Sequence, residues 1–266
     1  MNTTDFQELV WDRGRELYRD MPWRRDTRPY YVLVSEIMLQ QTQVERVIPK
    51  FEAFIATFPD IAALARADLA EVLVAWSGLG YNRRAKFLHE AAKKIVEEYR
   101  GVFPRTQDAL MSLPGVGTNT AGALLAYSFN APAVFIETNI RTVYFSHFFV
   151  GQEAVSDQEL RAVVARTYDV EHPREWYWAL MDYGAFLKRQ GAGQNNVSRH
   201  YRKQSALKGS IREVRGQIVR TLTIRGHTLH ELQEAVGADA RFPRALDGLL
   251  RDGLVSWAGN QLHLTR

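Results

Sequence analysis

Cysteine is absent from the chain. That removes disulfides, thiolate zinc sites and cysteine-ligated iron–sulfur clusters at once, so neither metal nor cofactor is expected. Long apolar runs are missing too, and nothing approaches the ~20 residues that a membrane-spanning helix needs. The opening MNTTDFQELVWDRGREL carries acids and no unbroken apolar core, unlike a secretory signal. These absences predict a protein that avoids membranes and works inside the cell, in the cytoplasm or nucleoid. No internal repeat and no low-complexity tract is found. Acids are scarce in one stretch. Between Lys188 and Arg225 the only acid is Glu213, against Arg199, Arg202, Lys203, Lys208, Arg212, Arg215 and Arg220. Charge of one sign over that length reads either as a strip facing phosphate or as a solvated linker.

What is present suits a globular, mainly helical chain. Hydrophobic residues make up 46% of the 266, with six Trp, eleven Tyr and thirteen Phe for cores and stacking surfaces. The formal charge of +4 and pI of about 9.3 point mildly to a polyanionic partner. Apolar spacing predicts helices over 5–20, 30–43, 44–57, 61–76, from about 83, 118–128, 139–150, 157–169 and 174–190. Helices at about 211–223, 228–236 and 241–252 precede two short strands around Gly259-Asn260. Three helices and a wing make a winged-helix pattern. Such a module docks nucleic acid through its third helix or serves protein contacts.

The central stretch is Leu113–Arg141. Leu113-Pro114-Gly115-Val116-Gly117 is a turn that stops one helix and starts another. Its glycines allow close backbone approach, and the amides at the start of the new helix offer an anion site. Such a turn would hold nucleic-acid phosphate without reading sequence; an ordinary helical hairpin is the plainer reading. A carboxylate, Glu137, follows beside Asn139. A second carboxylate, Glu36, lies in the apolar run YYVLVSEIMLQQTQ, where an acid is costly unless paired or used. Gln40 and Gln41 leave the same run as polar groups. Tyr81 ends a second Gly-rich turn, Trp76–Tyr81, ahead of Asn82-Arg83-Arg84, and is placed either to stack on a base or to seal a core.

SEIMLQQTQV (35–44), WSGLGYNRRAKFLHEAA (76–92), LPGVGTNTAGALL (113–125) and ETNIRTV (137–143) resemble the helix–hairpin–helix DNA glycosylases, most closely the MutY-like adenine glycosylase branch. The resemblance runs from about residue 8 to 190. It implies a mainly α, bilobal helix–hairpin–helix glycosylase fold, followed here by the winged-helix-like module. The expected parts are an N-terminal helix in 1–26 on the second lobe, a hairpin-bearing lobe in 27–130, a second lobe without a cluster in 131–207, and the module in 208–266. The partner implied is double-stranded DNA with a mismatch or lesion, bound by a monomer that flips the target nucleotide.

The resemblance also implies roles. Glu36 matches the glutamate that protonates the departing base and handles the water. Glu137 stands where the family has an aspartate that stabilises the sugar cation, and Asn139 matches an asparagine that orders that site. Gln40, Gln41 and Tyr81 match positions that wedge into the duplex, with Arg83 and Arg84 as basic DNA contacts. Gly115, Val116 and Gly117 match the amides on phosphate, with Asn119 and Thr120 beside them. Asn119 stands where the superfamily's lyases carry a Schiff-base lysine, so a monofunctional glycosylase is expected. The family's four cluster cysteines are missing, and the winged-helix-like unit stands where its NUDIX-like domain would follow. Adenine is the default base. Uracil, thymine or another altered base is the second expectation, and a non-catalytic damaged-DNA-binding protein the third.

Overall fold

The computed structural model describes residues 1–192, 198–199, 206–237 and 239–266. Packing divides the chain into two units. The first holds Met1–Val32, Arg105–Met111 and Val116–Lys203; the second holds Leu33–Pro104, Ser112–Gly115 and Gln204–Arg266. This grouping cuts across the sequence boundaries. Residues 27–32, 105–111 and 116–130 go with the first unit, and the terminal module goes with the second. No described helix is long and apolar enough to cross a membrane.

The first unit is built on α1 (Thr3–Leu17), α2 (Pro22–Arg25), α8 (Gln107–Met111), α9 (Thr118–Phe129), α10 (Thr138–Phe148), α11 (Asp157–Thr167) and α12 (Pro173–Arg189). Phe6 and Val10 of α1 are fully buried, and Phe6 packs against the rings of Tyr144, Phe148 and Trp176. Small residues let α9 be buried from Thr120 to Tyr127. α12 is anchored by Asp182, which is 1% exposed and accepts from Arg24 at 2.7 and 3.0 Å and from Arg19 Nε at 2.6 Å. A buried carboxylate is tolerated only with such partners. Past α12, Ser198 bridges to Val155. Gly193 to Val197, and the bases Arg202 and Lys203, lie outside the described residues.

In the second unit, α3 (Pro29–Leu39) enters from the first, followed by α4 (Val44–Thr57), α5 (Ile61–Arg66), α6 (Leu69–Ala75) and α7 (Arg83–Tyr99). The single helix expected over 61–76 is two. Asp68 starts the second with a capping box, its own side chain and Glu71 satisfying each other's end amides. The terminal module contains α13 (Ile211–Leu222), β1 (His227–Thr228), α14 (Leu229–Val236), α15 (Phe242–Arg251), β2 (Val255–Ala258) and β3 (Gln261–Leu264). Its strands form one antiparallel sheet in the order β1-β3-β2. The three helices and the hairpin fall where the sequence placed them. The two-residue β1 is too short to register in an alternation pattern.

Candidate nucleic-acid and scission site

α3 was expected to reach residue 43 but stops at Leu39, and Arg84 accounts for the difference. Its guanidinium donates to the carbonyls of Ile37 and Met38 at 2.9 Å each and of Gln40 at 2.5 Å. It also donates to Thr42 Oγ1 at 3.1 Å and Gly80 O at 3.2 Å. The last carbonyls of a helix lack partners, and a cation there also suits the helix dipole. The sequence offered Arg84 as a basic DNA contact; the structure engages its guanidinium within the protein. It is buried, and that burial, with the charge of Arg46, lowers its pKa to about 10. What it does is tie the end of α3 to the turn before α7. Gln41 and Tyr81 sit on those two tied loops, and both adopt positive φ, 58° and 48°. Bulky residues rarely take that conformation, which is held only where the surroundings fix it. The Arg84 guanidinium lies 5.4 Å from the ring centroids of both Tyr81 and Trp76. Replacing Arg84 with Met should release both loops, lower stability by about 2 kcal/mol and weaken duplex binding roughly tenfold. Thermal melts and gel shifts check this.

The terminal module completes that surface. Arg212 of α13 donates to Tyr81 Oη and lies over its ring at 5.0 Å. Lys86 of α7 donates to the carbonyl of Asp252 at 2.7 Å, and exposed Arg83 reaches Asp252 at 3.6 Å. Between α13 and the two loops lies a cavity of about 520 Å³, lined among others by Gln41, Gln43, Arg46, Tyr81, Arg212 and Arg220. The sequence named the third helix of the module, now α15, for docking; it is α13 that lines this cavity. Within the basic stretch, three arginines have partners in the protein. Arg215 pairs with Asp252, Arg225 with Glu231, and Arg212 with Tyr81.

At the hairpin, Gly115 has φ 77°, and a Cβ there would meet Phe87 Cβ at 2.9 Å, so only glycine fits. Gly117 caps α9 without a side-chain hydrogen bond and is exposed, which leaves the first amides of that helix to solvent or an anion. Val116 is buried. Two neighbours given a DNA role are occupied within the protein. Thr120 is buried on α9. Asn119 is exposed, but its Oδ1 accepts from Ile136 N at 3.3 Å and Arg161 Nη2 at 3.1 Å, tying α9 to the loop before Glu137.

Glu36 is half-buried on α3, in the second unit. Glu137, in the first, is the N-cap of α10, and its Oε2 accepts from the amide of Asn139 at 3.2 Å. Glutamate is an uncommon cap, since shorter side chains fit better. The Asn139 side chain accepts from Lys188 Nζ at 2.8 Å, and its Nδ2 faces Met181 Sδ at 3.9 Å. Gly184 packs against the Asn139 carbonyl so closely that a Cβ would lie 2.2 Å from the oxygen. Sequence reading did not single out Lys188 or Gly184; their i, i+4 spacing on one helix was the available signal. The cluster carried by the family does not fit this chain. There is no cysteine to ligate it, and no group of three or more His, Asp or Glu that could hold a metal ion occurs among the described residues.

Residues 34–171 match the family described as HhH-GPD superfamily base excision DNA repair protein. The adenine DNA glycosylase of Mycolicibacterium smegmatis is 36% identical over 279 residues, covering 96% of this chain and 93% of that protein. That of Buchnera aphidicola subsp. Baizongia pistaciae is 34% identical over 173 residues, covering 64% of this chain but 48% of its own length. Among solved structures, a thermostable thymine-DNA glycosylase superposes with a TM-score of 0.63 at 22% identity, over 75% of this chain and 96% of that one, which speaks to the fold alone. With its motifs, its helical fold and these relatives in agreement, the chain belongs to the HhH-GPD superfamily of base excision DNA repair proteins, as a DNA N-glycosylase of the MutY-like branch.

Proposed function

We propose that this glycosylase excises adenine from mispaired or damaged duplex DNA by hydrolysing its N-glycosidic bond, leaving the strand intact. The observation that carries the reading is 36% identity, across nearly all of both chains, to a protein named adenine DNA glycosylase. The side chains suit the chemistry. Glu36 donates a proton to the departing base and steers the water. Glu137 stabilises the positive charge that develops on the sugar, and Asn139 orders that carboxylate's surroundings. Two carboxylates in unlike environments divide acid and electrostatic work in this way in glycoside hydrolysis. Gln41 and Tyr81, on loops locked by Arg84, enter the duplex, and the amides from Gly115 to Gly117 hold phosphate. Asn119 offers no amine, which suits hydrolysis without strand scission.

A panel of duplexes tests this, each holding one candidate base: adenine opposite guanine or 8-oxoguanine, uracil, or mismatched thymine. Alkali after incubation converts a lost base into a strand break. Breaks at adenine are expected. Breaks only at uracil or thymine would reassign the substrate, and gel shifts without breaks at any base would leave a binding protein.

A further inference from the structure

Lys188 follows Gly184 by four residues, so both lie on one face of α12, and both meet Asn139. Gly184 lets the helix close on the Asn139 backbone. Lys188 then reaches the Asn139 side chain, donating to Oδ1 at 2.8 Å. Two effects oppose a cation at this place. The start of α10 carries positive partial charge, which disfavours another positive group. Partial burial disfavours it further and lowers the pKa of Lys188, with the charge of Glu137 pulling the other way. An ammonium kept where dipole and desolvation both resist it marks use more than packing.

We propose that Lys188 is a positioning residue of the scission site, fixing the amide of Asn139 by hydrogen bond and anchoring the carboxylate of Glu137 by charge. The inference rests on the glycosylase reading above. With Oδ1 committed to Lys188, the Asn139 amide has one orientation. The carboxylate that caps α10 accepts from the Asn139 amide and feels the charge of the ammonium while charge builds on the sugar. Several charged groups on neighbouring elements are otherwise engaged. On α1 and the segment after it, Arg13 acts on Tyr183, and Arg19 with Arg24 of α2 holds Asp182. His147 of α10 is bonded to Tyr183, and α9 offers only Tyr127. Glu137 is the acid that acts on Lys188.

The test compares Lys188→Met and Lys188→Arg with the wild type in single-turnover base release across pH. The Met variant should be slower by roughly thirtyfold, a cost expected of a displaced group, with duplex binding held within about threefold. The ammonium is present below its pKa and lost above it. The wild-type rate should therefore fall at alkaline pH, below the ordinary lysine range. Lys188→Arg should recover most of the rate and move that fall to higher pH. A Met variant as fast as wild type, or borohydride trapping of Lys188 on DNA, overturns the proposal. A second readout needs neither activity nor the Met variant. In a ¹³C-labelled protein the Lys188 Cε signal should titrate below the other lysines, and lower still in Glu137→Gln. Titration alongside the solvent lysines overturns the inference, whereas a wild type that releases no base from any duplex sinks the glycosylase reading instead.

Discussion

Glu36→Gln and Glu137→Gln should each slow single-turnover base release by about 100-fold or more while leaving duplex binding intact. Scission of an N-glycosidic bond needs a proton on the leaving base and a counter-charge for the oxocarbenium-like sugar. Glutamine keeps the shape of Glu36 and removes the proton it would give. At Glu137 the same change is more discriminating. The carboxylate caps α10 by accepting from the Asn139 amide at 3.2 Å, and a glutamine oxygen can accept there too. The helix start is therefore kept and only the charge is lost. A carboxylate about 4 Å from a sugar cation gains on the order of 4 kcal/mol at an effective dielectric near 20, which is about a thousandfold in rate. Rapid-quench assays on the adenine duplex give the rates, and gel shifts give the binding. Undiminished rates in both variants would remove the two-carboxylate chemistry.

The sequence carried the helices and the motifs because both are local. Apolar spacing marks α1, α4, α11 and α12, and the Gly-rich turns announce themselves by composition. Arg84 shows where local reading fails. Beside Arg83 it resembles half of a phosphate patch. Its real partners, the carbonyls of Ile37, Met38 and Gln40, lie more than forty residues earlier and leave no trace in a run of charges. The burial of Thr120 was hidden for a related reason, since which face of α9 meets a core depends on what packs there. The aspartate-to-glutamate departure at 137 could not be interpreted from side-chain length. The structure shows a glutamate that caps its own helix, where an ammonium from α12 bonds the side chain of Asn139. The role of the terminal module was equally hidden. Its pattern names three helices and a wing but not which helix meets Tyr81.

Gly184→Ala should be the most damaging substitution outside the acids, because the added carbon meets backbone. It would lie 2.2 Å from the Asn139 carbonyl oxygen, 2.6 Å from the carbonyl carbon and 2.8 Å from Cα. A flexible side chain could swing away, but a helix backbone must shift as a body. α12 has little room to do so. Two residues earlier, Asp182 is gripped by Arg24 at 2.7 and 3.0 Å and by Arg19 at 2.6 Å, and moving it would leave a buried carboxylate unpaired. The strain then falls on the start of α10, where Glu137 and Asn139 sit. A stability loss of about 3 kcal/mol is expected, lowering Tm by roughly 10 °C, and base release should fall at least about 100-fold from misplacement alone. Gly216→Ala is the control. It is also a helical glycine, in α13, but its Cβ would meet only the tip of Arg220 at 3.5 Å, and alanine favours a helix by about 1 kcal/mol. Circular-dichroism melts of both variants decide the matter. A Gly184→Ala protein that melts and reacts like wild type would mean that α10 and α12 do not make this contact in solution, and the positioning of Asn139 would need another explanation.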